Sequence, residues 1–274
     1  MSSEEAFIHP TATVDRRAEI EGGVFIGPYC VIGERVKIGR GTKLEAHVVI
    51  TGLTEIGQNC LFSPYSVIGT EPQDVTYKNE PTRVVIGDNN IFREFITVHR
   101  GTVKGGGVTR IGHDNYFMAY SHIAHDCQIG NKTIFINGAT LGGHVEVDDW
   151  ATVGAFTGVH QFCRIGKYAF IGGFSVITQD VPPFCRFAGM RPAKFYGVNT
   201  IGLRRHGFSS ARIQQIKEMI KILYFSDLNT SQALEKIRET IEPSPDREEM
   251  LNFIAASKRG IIKKVAEAWE IELE

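Results

Sequence analysis

Apolar residues recur every six positions along most of this chain. From Ile8 the series runs Val14, Ile20, Ile26, Ile32, Ile38, Leu44, Ile50, Ile56, Phe62 and Ile68. It resumes over Ile86, Phe92 and Val98, and again from Ile111 through Phe117, Ile123, Ile129, Phe135, Leu141, Val147, Val153, Val159, Ile165, Ile171 and Ile177. All 26 positions are aliphatic or phenylalanine, and glycine often follows directly, as at Gly27, Gly33 and Gly130. A second register, four residues later, holds small or β-branched side chains such as Ala18, Cys30, Thr42, Cys60, Ser121, Cys127, Ala139 and Cys163. Chance does not produce such a series. A fixed period marks a chain built from stacked copies of one structural unit, and the small second register suits tight inward corners.

In both registers the chain resembles the hexapeptide-repeat, left-handed parallel β-helix proteins, over roughly residues 8 to 182. The resemblance implies a mainly β fold, a triangular prism in which three hexapeptides make one coil. The large residue fills the core, the small one packs beside a corner, and coils stack by parallel strand pairing at about 4.8 Å. Many activities share such a fold, so function must be argued from the site.

Two stretches interrupt the period. Residues 69–85 carry two prolines and residues 99–110 a triple glycine. Both are expected to leave the prism as loops, where binding and catalysis often reside. The repeats end near Asp180-Val181-Pro182-Pro183. Beyond them Ile213, Ile216, Ile220 and Leu223 recur at helical spacing, with Ser210 as candidate N-cap. Leu234, Ile237 and Ile241 suggest a second helix. Asp246 with Glu249 has the form of a capping box for a third, whose last turn would hold Lys258 and Arg259 before Gly260. The expected organisation is a β-helix domain over 1–194 and a small C-terminal α-helical domain over 195–274.

At 274 residues the chain can bury a sizeable core. Its net charge of −1 gives no bulk attraction to nucleic acid or membrane. The start, MSSEEAFIHP, lacks the basic and apolar segments of a secretion signal. No apolar run approaches the roughly 18 residues of a membrane span, so no stable membrane insertion is expected. Cys30, Cys60, Cys127, Cys163 and Cys185 are odd in number and form no C-x-x-C pair, which fits free thiols in a cytoplasmic protein.

Residues 18 apart should stack on one face, so His125, Gly143 and Gln161 form a column. His122, His144 and His160 lie beside it, and His99 in the second loop is placed to approach. One histidine on a polar corner needs no function; four along one edge do. A zinc site, a general base and a plain binding surface compete. The neighbours favour the base. Asp126 can orient the His125 imidazole if a corner brings adjacent residues together, and Gly143 offers an unshielded N–H for an oxyanion. That pairing suits acyl transfer to a hydroxyl. Cys127 shares the inward register of Cys30, Cys60 and Cys163, so packing explains it better than nucleophilic chemistry.

The strings EPQDVTY, HRGTVKGGGVT, HIAHDC, GHVEVDD, GVHQFCRIG, QDVPPF and GVNTIGLRR, in that order over nearly the whole chain, resemble the UDP-N-acetylglucosamine O-acyltransferases of lipid A biosynthesis. The resemblance implies transfer of a 3-hydroxyacyl group from the phosphopantetheine of acyl carrier protein to the sugar 3-hydroxyl, the first step of that pathway. His125 would be the base, Asp126 its partner and Gly143 the oxyanion donor, with no metal and no cofactor of the enzyme's own. It further implies that Gln73, Asp74, His99, His122, His144, His160 and Gln161 contact sugar or donor. Asn199 and Arg205 would hold the nucleotide and its diphosphate, and Gly173 would leave room for a long acyl chain. Arg204, Arg205, Lys217 and Lys221 are candidates to receive the acidic carrier protein, and the enzyme would be a homotrimer with sites between prisms. Three positions depart from the family pattern: Thr76 stands where a lysine is common, Ile201 where a glutamate is, and His206 where a second arginine is. They leave open a 3-amino sugar acceptor, with an amide product. A zinc-dependent lyase or hydratase on the same fold is the reading from a different class.

Overall fold

The computed structural model describes residues 5–267; residues 1–4 and 268–274, at the outer ends of the two expected domains, lie outside the described part. Three sheets of eleven, nine and eight strands form the sides of a prism. Most strands are two residues long, and each pairs in parallel with the strand one coil on, as Ile123 with Leu141 and Leu141 with Val159. From Ile26 to Ile177 every member of the six-residue series is buried. Ile8 is 44% exposed, because the first coil has no neighbour beneath it. In the core, Phe62, Phe92, Phe117 and Phe135 stack at 4.6 to 4.9 Å, matching the strand spacing.

The corners explain the period. The residue three places after a core residue takes the left-handed conformation, as at Tyr65 (φ 64°), Asp126 (φ 62°) and His144 (φ 61°). In a side chain other than glycine this costs on the order of 1 kcal/mol. Stacking offsets it: the small register is buried beside each corner and its polar atoms are satisfied. Asn115 donates to Asn90 at 2.9 Å and accepts from Thr133 at 2.7 Å. The cysteines of this register are buried and free.

The two interruptions are shorter loops than expected: strands Val67–Thr70, Arg83–Ile86, Thr97–His99 and Val108–Ile111 take in both ends of each, so His99 ends a strand instead of lying in a loop. Phe62 pairs with Phe92 and Phe92 with Phe117 in register, and one bulge, after Ile68, sets Thr70 against His99. The end of the prism differs from expectation. Strand Cys185–Ala188 continues the eleven-stranded sheet, and Lys194–Val198 pairs with it antiparallel. The expected division at 194/195 therefore falls inside a strand.

Four helices follow: α1 Thr200–Arg205, α2 Ser210–Phe225, α3 Thr230–Thr240 and α4 Pro245–Ala255. The caps need correction. Ser209, not Ser210, caps α2. Asn229 and Gln232 form the capping box of α3, and Ile241 lies at its C-cap rather than within it. Ser244 caps α4, with Pro245 opening the helix. Asp246 is instead buried and takes both nitrogens of an Arg212 fork at 2.8 Å, which ties α4 to α2. Lys258 and Arg259 lie beyond α4, where Arg259 donates to Thr178 O on the prism.

Candidate active site

His125 and Asp126 sit at the corner between strands His122–Ile123 and Gln128–Ile129. Neighbouring residues of an extended strand point apart. The left-handed turn at Asp126 swings its carboxylate back, so His125 Nδ1 lies 2.8 Å from Asp126 Oδ2. The Asp126 side chain has no accessible surface. Its Oδ1 accepts the Thr102 N–H at 2.8 Å and its Oδ2 the Thr102 hydroxyl at 2.7 Å. Its own N–H donates to Thr109 Oγ1.

Gly143 lies one coil further along. A Cβ there would overlap the His125 ring, at 2.7 Å from Nε2. Only glycine lets the imidazole lie over this backbone. Among the described residues no backbone or side-chain acceptor takes the Gly143 N–H, which leaves it to a ligand. Above it, a Cβ at Gly142 would meet Gln161 N at 2.8 Å, so Gln161 continues the column. His160 and Gln161 are exposed, with His160 Nδ1 turned to Gln161 O at 3.0 Å.

The other histidines close around the pair. His99 is buried, meets His122 edge-on at 4.9 Å, and leaves its Nδ1 without a partner. Burial, then the neighbouring His122 and His125, push its pKa down to about 4. His122 Nδ1 faces Thr97 Oγ1 at 2.7 Å, and burial lowers its pKa as well. His144 stacks on Phe162 at 4.4 Å and meets His125 edge-on at 5.2 Å. Burial lowers its pKa, with Asp126 opposing. Burial thus holds His99, His122 and His144 toward the neutral form.

The first loop brings Asp74, which accepts the Thr76 N–H and hydroxyl at 2.8 Å each. These bonds chiefly hold its carboxyl low, helped by Lys104 and His125. Lys104, from the second loop, donates to Thr76 Oγ1 at 3.0 Å. A cation therefore reaches Thr76 from outside its own loop. Gln73 is exposed beside Asp74.

Cys127 is not a nucleophile. Its thiol is buried, donates to Gly142 O at 3.2 Å, and is pushed up to about 12 by burial. For a metal, His125, Asp126 and His144 offer ligand atoms within 4.8 Å of one another. Two of those three groups are already committed to each other, and His122 turns its Nδ1 to Thr97. A base held by a carboxylate, beside a free backbone N–H, is a site for deprotonating a hydroxyl and holding an oxyanion.

The family profile "Bacterial transferase hexapeptide (six repeats)" matches residues 17–52, and "Udp N-acetylglucosamine O-acyltransferase; Domain 2" matches residues 180–262. An acyl-[acyl-carrier-protein]–UDP-N-acetylglucosamine O-acyltransferase from Thermodesulfovibrio yellowstonii is 53% identical over 256 residues, 93% of this chain and 99% of that one. The chain belongs to the UDP-N-acetylglucosamine O-acyltransferases. Solved structures of the family superpose closely. LpxA from Acinetobacter baumannii gives a TM-score of 0.91 at 44% identity, covering 93% of this chain and 99% of that one. The Francisella novicida UDP-N-acetylglucosamine acyltransferase gives 0.92 at 41%, covering 97% of each. The chain is thus an acyltransferase, and neither the amide-forming nor the zinc-lyase alternative is favoured.

The remaining expected residues of this acyltransferase lie at other edges of the prism. Asn199 caps α1, accepting from Gly202 N and donating to Tyr168 O. His206 packs on Trp150 at 4.4 Å. Both mark the corner of Trp150 and Tyr168, and Arg204 and Arg205 at the end of α1 are exposed near it. Ile201 is exposed on the same helix. Gly173 lies at the third corner, beside Phe174 and against Ala155. Lys217 and Lys221 line a groove of about 540 Å³ with an apolar floor of Phe195, Val198 and Phe225. Within one chain, then, His125 is not brought together with Asn199, Arg205 or Gly173. Thr102 and Lys104 were missed in the sequence, although the glycines around them were visible.

Gly143→Ala is expected to fold but to lose at least about 100-fold in transfer rate, because the methyl displaces the His125 imidazole and crowds the Gly143 N–H; steady-state assays check this. His99 titrates at 6.5 when unperturbed and at about 4 here. Between those values the unfolded chain binds a proton that the folded chain does not, so stability falls as pH drops. Thermal midpoints taken from about pH 7.5 to 5 should decline, and His99→Leu should flatten that decline.

Proposed function

We propose that this chain transfers a 3-hydroxyacyl group from acyl carrier protein to the sugar 3-hydroxyl of UDP-N-acetylglucosamine, the first step of lipid A biosynthesis. The observation that carries the proposal is the His125–Asp126 pair with Gly143 beneath the imidazole. His125 Nε2 takes the hydroxyl proton while Asp126 holds Nδ1. The sugar oxygen attacks the thioester carbon, and the oxyanion rests on the Gly143 N–H. The C–S bond breaks, and His125 returns the proton to the leaving sulfur. The step balances without metal, redox cofactor or covalent enzyme intermediate; the phosphopantetheine arrives on the carrier protein.

Asp74, Gln73, His99, His122, His144, His160 and Gln161 are proposed to contact sugar or donor, and the unpaired buried Nδ1 of His99 supports this for one of them. Asn199 and Arg205 are proposed for the nucleotide, Gly173 for the acyl chain, and Arg204, Lys217 and Lys221 for the acidic carrier protein. The working unit is a homotrimer. The nine-stranded face carries no charged side chain in its strands, whereas the eight-stranded face presents Glu19, Lys37, Arg110, Glu146 and Arg164. Between the uncharged face and the eleven-stranded one runs an exposed aromatic edge. Tyr29, His47, Tyr65, Phe95 and Tyr120 stack there at 4.9 to 5.1 Å. Three copies meeting at that edge bury the uncharged face against the eleven-stranded face of the next copy and leave the eight-stranded one in water. The same packing sets the His125 corner of one copy against the Asn199 and Arg205 corner of the next. The enzyme is proposed to act in the cytoplasm, without a nucleic-acid partner. No helix of the described residues is long and apolar enough to cross a membrane.

His125→Ala should fold as wild type and lose about 10²–10⁴-fold in transfer. Mass spectrometry of products from a panel of 3-hydroxyacyl carrier proteins, with UDP-N-acetylglucosamine or its 3-amino analogue and with chelator in parallel, tests the reading. An ester insensitive to chelator supports it; amide alone, or loss on chelation, overturns it. Light scattering at micromolar protein should give a trimer, and Tyr65→Glu with Tyr120→Glu should give a lower mass and lose activity.

A further inference from the structure

We infer that Thr102 is a positioning residue of the acyl transfer: its hydroxyl fixes the hydrogen-bond order of the His125–Asp126 pair so that His125 Nε2 stays unprotonated toward Gly143. The inference rests on the base role proposed for His125. Thr102 lies 24 residues from Asp126, at the N-cap of the 3-10 turn Val103–Gly105. Its hydroxyl accepts the Gly105 N–H at 3.2 Å. That bond directs its single proton to Asp126 Oδ2, 2.7 Å away. The Thr102 N–H covers Oδ1 at 2.8 Å. Both carboxylate oxygens therefore meet donors from one residue, and a carboxyl proton on Oδ2 would oppose the hydroxyl proton already pointing there. Asp126 is left as an acceptor, so the proton shared with His125 sits on Nδ1 and the lone pair on Nε2.

The approach of the turn is built in. A Cβ at Gly101 would stand 2.7 Å from Asp126 Oδ1, and one at Gly105 would overlap the carboxylate. The turn also carries Lys104, whose ammonium bonds Thr76, which in turn bonds Asp74. The turn that Thr102 caps thus meets the loop of Asp74 through Lys104 and the base through Thr102 itself. Were Thr102 only a helix cap, removing its hydroxyl would loosen the turn and leave the His125 proton where it is.

The test uses the full-length enzyme with Thr102→Val, which keeps the shape and loses the donor, and Thr102→Ser, which keeps the donor. Both are assayed for kcat and KM, and ¹⁵N-histidine NMR reads the His125 tautomer. Wild type should show Nδ1–H. Val should lower kcat about 10–100-fold with KM for the sugar within about twofold, and Ser should recover most of the loss. In the Val variant the His125 nitrogens should move toward a tautomer mixture. A wild-type His125 protonated on Nε2 overturns the inference whether or not the Val variant folds. So does an unchanged kcat or tautomer in the Val variant, or a loss that Ser does not repair. Because the tautomer is read without turnover, this failure is distinct from failure of the base role, which His125→Ala tests.

Discussion

Every feature of this molecule depends on one pairing: each short strand with the strand one coil further on. A two-residue strand has no stability alone. Its corner residue is held in a conformation that L side chains avoid. Stacked on both sides, the same residues bury a continuous column of isoleucine, leucine, valine and phenylalanine and satisfy the interior polar atoms. Where stacking stops, the benefit stops too, as the exposure of Ile8 shows. The proposed chemistry uses the corner, where the backbone is held in the left-handed conformation. Asp126 reaches back to His125 because φ is positive there, and a flat strand could not make that contact.

The same pairing explains why the site tolerates no slip. A column of residues 18 apart sets Gly143 under His125 and Gln161 beyond it. The two loops leave and return at the cost of one bulge, after Ile68, and the coils on either side keep their pairing, so the loops add side chains at one level of the prism. Thr102 and Asp74 enter from those loops, while His122, His125, His144 and Gly143 belong to the coils. The rigid part thus carries the proposed base and oxyanion donor, and the loops bring side chains to them.

Much of this was legible in the sequence because the repeat is strict. The core, the loops, the histidine edge and the inertness of Cys127 all follow from counting in sixes and eighteens. What escaped was tertiary or ambiguous. Ser209 and Ser210 are both able caps, and only the chain path selects one. Asp246 looked like a cap because its spacing to Glu249 fits, yet its carboxylate answers Arg212, 34 residues away. The hairpin of Cys185–Ala188 and Lys194–Val198 has no repeat to announce it. Thr102 lies in a glycine-rich string whose purpose is visible only once the turn is seen closing on a buried carboxylate.

The division of the proposed site among edges has its own logic. One chain holds its base at one corner and its candidate nucleotide residues at another, and no rearrangement within a rigid prism can join them. The nine-stranded face beside the aromatic edge, with no charged side chain in its strands, has least to lose by leaving water. The proposed trimer would bury it and bring the two corners together. On that proposal assembly and substrate binding draw on the same contact, so a change that weakens the aromatic edge would act on catalysis without touching any residue near His125.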